Sequence, residues 1–234
     1  MQYAVITGAS QGIGRAITEK LLSKGCSIAV CARDKAKLQA VVEEWRTNYV
    51  DADIIWVAAD LSTAKGADAL ASLVLSSFPQ VDLLINNAGA FAMGKLADEP
   101  EDALEKMLNT NLYAAYRVSR KILPQMKEQG NGHIFNICSI ASLKAYPNIG
   151  SYSISKYALL GLTDNLREEL RPHGIKVTAI CPGSTWSPSW EGSGTEPERI
   201  MEGRDIAEMI WATCSLSPQA VTETIVMRPV KGDL

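Results

Sequence analysis

Residues Tyr3-Ala4-Val5-Ile6-Thr7 make a short strand pattern that runs straight into Gly8-Ala9-Ser10-Gln11-Gly12-Ile13-Gly14, where an amphipathic helix pattern opens. No other stretch restricts the fold as much. Glycines let the chain turn sharply between strand and helix, and a missing Cβ lets the two pack closely. Backbone N–H groups at the start of that helix, with the positive end of its dipole, suit a pyrophosphate. The spacing is GxxxGxG rather than GxGxxG, and a glycine-rich turn taken alone also serves as a purely structural turn.

The same alternation continues along the chain. β-branched runs at 3–7, 27–31, 53–58, 81–86, 133–138, 176–181 and 222–228 predict seven strands. Between them, 12–24, 35–48, 65–77, 100–128, 151–171 and 204–215 have the length and patterning of helices. Alternation of this kind predicts an α/β fold: a doubly wound, mainly parallel, seven-stranded Rossmann-like sheet with helices on both faces. A single domain over residues 1–234 is expected. Asp34 is placed to cap the second helix, Pro100 to open the fourth, and Gly130 with Gly132 to end it. The irregular stretch 183–203, rich in Ser, Pro, Gly and Trp, reads as a mobile substrate-binding loop.

Composition narrows the function. A net charge of -3 offers no electrostatic reason to bind nucleic acid or an anionic membrane, so a small-molecule partner is expected. Met1-Gln2-Tyr3 leaves no room for a signal peptide before the first strand, and every apolar run is interrupted before it could span a bilayer. Cys26, Cys31, Cys138, Cys181 and Cys214 lack CxxC spacing and read as buried thiols of a reducing cytoplasm. His133 and His173 have no metal-ligand neighbours, so no metal site is expected.

Further motifs follow the glycine-rich turn in order. Asp60-Leu61 comes after the third strand, Asn86-Asn87-Ala88-Gly89 after the fourth, and Asn111 lies inside the long helix. Ser139 follows the fifth strand, Tyr152-Ser153-Ile154-Ser155-Lys156 opens the next helix, and Pro182-Gly183 follows the sixth strand. Over nearly the whole chain this resembles the short-chain dehydrogenase/reductase family. The resemblance implies an oxidoreductase that moves a hydride between a nicotinamide dinucleotide and a carbonyl or secondary alcohol.

The side chains suit that chemistry. A carbonyl reduced to an alkoxide needs a proton, and the reverse reaction needs a base. Tyr152 supplies that group. A free tyrosine titrates near ~10, too high for a base at neutral pH. An ammonium about 4 Å away, as Lys156 one helical turn on could provide, would stabilise the phenolate by roughly 4 kcal/mol. Ser139 offers a neutral hydroxyl to the substrate oxygen, and no histidine lies near it to make it a nucleophile. The resemblance implies that Asn111 holds a water linking Lys156 to solvent; a polar residue satisfying backbone is its alternative reading.

The resemblance also assigns the dinucleotide contacts: Gly8, Ser10, Gln11, Gly12, Ile13, Gly14, Asp60, Leu61, Asn87, Ala88, Gly89, Tyr152, Lys156, Pro182, Gly183 and Thr185. Asp60, or its neighbour Ser62, could instead cap a helix. Two positions depart from the family pattern. Ser187 stands where many members have Thr, and Thr185 where an aliphatic residue is usual. At the end of the second strand, Ala32 takes the place of an acidic ribose ligand and Arg33 follows, which favours NADP over NAD. Asp34 keeps NAD open, since a register shift of one or two residues would make it the ribose ligand.

Trp186, Pro188 and Trp190 in the loop, with Phe91, Met93, Ile140, Leu143 and Tyr146, are candidates for a partly apolar pocket; each also has a core reading. A small ketone, 3-oxo acid or 3-hydroxy acid is the expected substrate class. Family resemblance implies a homodimer or homotetramer built on the two long helices. Three alternatives stand beside this reading. A 3-oxoacyl-[acyl-carrier-protein] reductase would need a basic patch such as Arg117, Arg120, Lys121 and Lys127. A non-catalytic dinucleotide sensor would not need Asn111, Ser139, Tyr152 and Lys156 together, and a methyltransferase would not need the Tyr-x-x-x-Lys pair.

Overall fold

Alternate residues of a strand leave the backbone on opposite sides, so a strand covered on both faces must be apolar throughout. In a computed structural model this holds for β1 (Tyr3–Thr7), where Ala4 and Ile6 enter one core and Val5 the other. The structure describes residues 2–234; Met1, read above as leading into the first strand, lies outside the described residues, as does the side chain of Ser189.

The remaining strands are β2 (Ser27–Ala32), β3 (Ile54–Ala58), β4 (Leu83–Asn86), β5 (Gly132–Ile137), β6 (Ile175–Pro182) and β7 (Thr224–Met227). They form one sheet in the order β3-β2-β1-β4-β5-β6-β7, parallel at every pairing. The chain winds outward from β1 to β3, then returns to place β4 on the other side of β1. That reversal opens a crevice at the carboxyl ends of β1 and β4, the usual ligand position in open α/β sheets.

One face is covered by α1 (Gly12–Leu22), α2 (Lys35–Asn48) and α7 (Gly203–Cys214), which bury Ile17, Leu21, Leu38, Trp45, Ile206 and Ile210 against the sheet. The other face carries α3 (Ala64–Ser77), α5 (Ala114–Gln129) and α6 (Gly150–Leu170), with Leu70, Val74, Val118, Ile122, Met126 and Leu166 inward. Asp34 caps α2 as expected, its Oδ1 accepting from the Lys37 N–H at 3.0 Å.

Several local expectations need correction. The cap of α3 is neither Asp60 nor Ser62 but Thr63, whose Oγ1 accepts from the Gly66 N–H at 3.1 Å. The helix expected over 100–128 begins at Ala103, and Pro100 lies in the preceding turn, where its carbonyl accepts from Ala103. That helix is also interrupted: α4 (Ala103–Leu108) joins α5 through a π-helical turn, Asn109–Tyr113. Such a turn widens the helix by one residue and is common where a side chain must be re-aimed. Asn111 sits in it. Of the five cysteines, Cys214 is only partly buried; the other four are buried and none is bonded to another.

Candidate active site

Parallel winding brings the predicted residues to one edge of the sheet. The glycine-rich turn follows β1, Arg33 follows β2, Asp60 and Leu61 follow β3, Asn87 to Gly89 follow β4, Ser139 follows β5, and Pro182 ends β6.

Between β1 and β4 the backbone is tightly bound. Thr7 Oγ1 accepts from the N–H groups of Asn87 (3.0 Å) and Ala88 (2.9 Å), and Asn87 Nδ2 donates to the carbonyls of Thr7 (3.0 Å) and Gly8 (3.1 Å). Gly8 and Gly12 have φ of +69° and +56°, the left-handed region that a side chain resists. A Cβ at Gly14 would stand 2.2 Å from the Gly8 carbonyl oxygen and 2.4 Å from Asn87 Nδ2. Unlike α2 and α3, α1 has no side-chain cap: Gln11 stands at its N-cap without bonding the first-turn amides, and no acidic residue lies in that turn. Those N–H groups are left for an external anion. Ser10 is buried and Ile13 packs on the core beside them.

Arg33 is exposed just beyond β2, with no ion-pair partner among the described residues, while the neighbouring carboxylate of Asp34 is occupied as a cap. Lys37, which sequence reading missed, reaches from α2 to donate to Gln11 Oε1 at the same turn. Its only sequence signal was a position one turn into the helix after Arg33. Asp60 is exposed, with Oδ1 accepting from Ser62 N–H at 3.0 Å; Leu61 is buried in the core.

The four residues expected to be catalytic draw together through α6 and the π turn. The carboxamide of Asn111 is anchored on both sides: Oδ1 accepts from Ala90 N–H (2.7 Å), and Nδ2 donates to the Ala90 carbonyl (3.0 Å) and Ser155 Oγ (2.9 Å). Ser155 Oγ in turn donates to the Tyr152 carbonyl at 2.7 Å. Asn111 thus ties the segment after β4 to the first turn of α6. Lys156 is 6% exposed; its Nζ donates to the Ile137 carbonyl at 2.8 Å and lies 5.9 Å from the Tyr152 ring centroid. Among the described residues it has no carboxylate partner. A Cβ at Gly89 would come within 3.6 Å of Nζ and 3.1 Å of Asn111 Oδ1, so the glycine keeps the approach to both open.

Ser139 Oγ accepts from Ala141 N–H at 3.1 Å, which orients the oxygen and leaves its proton to donate. Tyr152 is half-buried, with Phe91 edge-on at 4.9 Å. Glu99, also missed, holds the start of α6: Oε1 accepts from Ser151 N–H at 3.2 Å and Oε2 from its hydroxyl. Nothing in its sequence neighbourhood marks it, because its partner lies 52 residues on.

Thr185 is buried and donates to the Gly183 carbonyl at 3.0 Å. The stretch 183–203 is pinched at its base, where Trp186 N–H meets the Met201 carbonyl (2.7 Å) and Met201 N–H the Ser184 carbonyl (3.1 Å). Its outer part lies over α1, forming a groove of about 620 Å³ lined by Gly12, Trp186, Pro188, Ile200 and Arg204 among others. None of Ser139, Tyr152 and Lys156 lines this groove. Of the expected pocket residues, Phe91, Met93 and Leu143 are exposed near the site, Tyr146 is half-buried and Ile140 is core.

The basic side chains considered for a carrier-protein patch are largely engaged within the fold. Arg117 donates to the Ser62 carbonyl (2.6 Å), Arg120 to the Tyr116 hydroxyl (2.8 Å), and Lys121 pairs with Asp68. Among the described residues no cluster of three metal-ligating side chains occurs, and no helix is long and apolar enough to cross a membrane.

The family model of the short chain dehydrogenases matches residues 2–197. An uncharacterized oxidoreductase of Staphylococcus aureus strain USA300 is 30% identical over 229 residues, 98% of this chain and 97% of that one. The alcohol dehydrogenase of Thermococcus sibiricus, solved with 5-hydroxy-NADP, superposes with a TM-score of 0.91 at 26% identity, covering 100% of this chain and 99% of that one. A metagenomic short-chain oxidoreductase in complex with NADP is 33% identical, with a TM-score of 0.85 and coverage of 98% and 97%.

Proposed function

The chain belongs to the short-chain dehydrogenase family of oxidoreductases, and from that premise we propose that it interconverts a small ketone, 3-oxo acid or 3-hydroxy acid and its redox partner, with NADP(H) as cofactor. The observation that carries this reading is the buried ammonium of Lys156, which among the described residues meets one carbonyl and no carboxylate. An ammonium so placed keeps its full field on the neighbouring Tyr152 and has N–H donors left for a ligand.

The residues present suit a dinucleotide. The uncapped amides of Gly12, Ile13 and Gly14, with Ser10 and Gln11, would hold the pyrophosphate. Asp60 and Leu61 would contact the adenine, and Asn87 to Gly89, Pro182, Gly183 and Thr185 would line the nicotinamide side. Arg33, an exposed cation beside an occupied Asp34, would meet a ribose 2′-phosphate, a group carried by the NADP-type molecules bound to both structural neighbours. When bound, the nicotinamide supplies the two-electron donor or acceptor.

The chain's own groups do the rest. Tyr152 passes a proton to the substrate oxygen in reduction and takes it in oxidation. Ser139 donates its hydroxyl proton to the same oxygen as charge develops. Lys156 would stabilise the tyrosinate and hold the ribose of the cofactor. The Asn111 side chain holds α6 against the segment after β4 through both of its N–H groups, and its Oδ1, which accepts from Ala90, has capacity for a second hydrogen bond from a water near Lys156. The outer faces of α5 and α6, with Tyr116 exposed on α5 and Tyr113 exposed in the π turn before it, would form the interface of a homodimer or homotetramer, which light scattering would detect.

The deciding test is kcat/KM for a panel of small ketones, 3-oxo esters and diketones with NADPH and with NADH. Turnover favouring NADPH is the expected result. An NADH preference would overturn the assignment of Arg33, and tight dinucleotide binding without turnover of any member would favour a sensor.

A further inference from the structure

The helix that carries Tyr152 and Lys156 does not cap itself. α2 and α3 open on the local caps Asp34 and Thr63, whereas the N-cap of α6 is Ile149, whose side chain accepts nothing. Its first-turn amides must find partners elsewhere. Ser151 N–H donates to Glu99 Oε1 at 3.2 Å, the Ser151 hydroxyl donates to Oε2, and Gly150 N–H donates to the Gly94 carbonyl at 3.2 Å. Both partners lie in the segment that follows β4.

That segment clasps the entry to α6. Gly94 N–H donates to the Asn148 carbonyl at 2.8 Å, and Asn148, at φ +59°, is the one non-glycine residue with a left-handed backbone among the described residues. A Cβ at Gly94 would stand 2.5 Å from Glu99 Cγ, so the glycine lets the glutamate side chain lie against the backbone and reach α6. Among the described residues no Lys or Arg pairs with Glu99. Its carboxylate is held by the two Ser151 donors, at the positive end of the helix.

Tyr152 stands between two tethered neighbours. On one side the Ser153 hydroxyl donates to the Ala141 carbonyl at 3.0 Å, and Ala141 N–H in turn donates to Ser139 Oγ at 3.1 Å. On the other side Ser151 is bound to Glu99. Both serines are buried. The first tether runs to the turn that presents Ser139, and the second to the segment after β4, so together they set how the tyrosine faces Ser139. Of the partners of these two tethers, Ala141 offers only main chain, while Glu99 offers a side chain that can be replaced.

We propose that Glu99 is a positioning residue: by holding Ser151 it fixes the direction in which Tyr152 presents its hydroxyl to the substrate oxygen. This rests on the carbonyl–alcohol reaction proposed above. Glu99 acts through Ser151 and not on the reacting atoms. Proton transfer needs the two oxygens within hydrogen-bond reach, and a displacement of about 1 Å can cost roughly 10²-fold in rate.

The test measures kcat with the best ketone of the panel, the dissociation constant for NADPH, and the urea midpoint in Glu99→Ala, Glu99→Gln, Ser151→Ala and the double variant Glu99→Ala/Ser151→Ala. Glu99→Ala should lower kcat by about tenfold or more, with NADPH affinity changed by less than about threefold. A cap that served stability alone would lower the urea midpoint and leave the kcat of the folded protein where it was. In Glu99→Gln the amide oxygen still accepts from Ser151, so most of the loss should be recovered. Ser151→Ala, which removes only the hydroxyl tether, should lower kcat by about threefold and covers the case in which Glu99→Ala does not fold. In the double variant the losses should not multiply, because both changes remove one contact.

An unchanged kcat in Glu99→Ala and Ser151→Ala, a glutamine variant as slow as the alanine one, or losses that multiply in the double variant would overturn the proposal. If no ketone is turned over with either cofactor, the proposed reaction fails separately. NMR of protein labelled with ¹³C at the tyrosine Cζ then reads position alone, the Tyr152 signal being identified by its loss in Tyr152→Phe. That signal should move in Glu99→Ala and keep its place in Glu99→Gln; a signal unmoved in Glu99→Ala overturns the role of Glu99.

Discussion

Two stretches of the carboxyl edge, one at β1 and β4 in the middle of the sheet and one at β5 and β6, are built on opposite plans. Around β1 and β4 polar groups are consumed locally: Thr7 Oγ1 takes two amides and itself donates to the Ile85 carbonyl (3.4 Å), and Asn87 locks the turn from the other side. What remains there for a ligand is backbone. Around β5 and β6 side chains keep unused capacity: the Ser139 proton and the remaining N–H groups of Lys156. A rigid backbone cradle suits a ligand that never changes, while unspent side-chain donors and acceptors suit reacting atoms and a variable substrate. The first region should therefore fail through shape and the second through chemistry.

Tyr152→Phe is the sharpest probe of that contrast. Removing one oxygen should lower kcat by about 10²- to 10⁴-fold, while the dissociation constant for NADPH, measured by fluorescence titration, stays within about threefold. Retention of most of the activity would show that proton transfer runs through another group.

Gly14→Ala should act in the reverse way. The new Cβ would meet the Gly8 carbonyl oxygen at 2.2 Å, which the fixed turn cannot avoid, so stability should fall by about 1–3 kcal/mol. NADPH affinity should fall with it. An unchanged urea midpoint together with unchanged affinity would break the picture of a cradle without slack.

Arg33→Ala tests the cradle's one charged margin. The ratio of kcat/KM with NADPH to that with NADH should drop about tenfold, the loss expected of one exposed charge-assisted contact to phosphate. An unaltered ratio would assign the 2′-phosphate elsewhere, with Lys37 the next candidate.

The last effect is absent at neutral pH and arises far from both regions, at the amino end of β5. His133 is buried, stacked on Phe135 at 3.9 Å, with Nε2–H donating to Thr178 Oγ1 (2.7 Å), which itself donates to the Thr222 carbonyl (2.5 Å). Desolvation, reinforced by Lys176, pushes its pKa down to about 3 from 6.5. The unfolded chain then binds the extra proton first, so this contribution is full above pH 6.5 and is lost as pH falls from 6.5 toward 3. The slope is at most about 1.4 kcal/mol per pH unit. Denaturant melts of His133→Gln should show a shallower acid dependence than the unaltered chain between pH 6.5 and 4. Parallel curves would mean that the imidazole is accessible to protons in the folded state.

Much of this architecture could be read along the chain because it depends on local rules. β-branched runs marked all seven strands, with the largest errors at the starts of β4 and β7, placed at 81 and 222 and found at Leu83 and Thr224. Asp34 was legible as a cap because capping is a short-range bond. The π turn around Asn111 was not, since helical patterning over 103–129 is the same with or without one extra residue in a turn. Nor was Asp233: its partner Tyr146 lies 87 residues away, and a Gly-Asp-Leu stretch reads as a solvated end.

By itself, then, the sequence determined the alternation of strand and helix, the glycines that shape the first turn, and the order of motifs from Gly8 to Gly183, because each is set by the residues' own geometry and periodicity. Tertiary structure alone decided that Asp34 is spent as a cap while Arg33 is not, that the Asn111 carboxamide is tied to Ala90 and Ser155, and that Asp233 packs its carboxylate against Gly183. Those outcomes depend on which donor reaches which acceptor first across the fold, and hydrogen-bonding capacity written in a side chain does not say how it will be used.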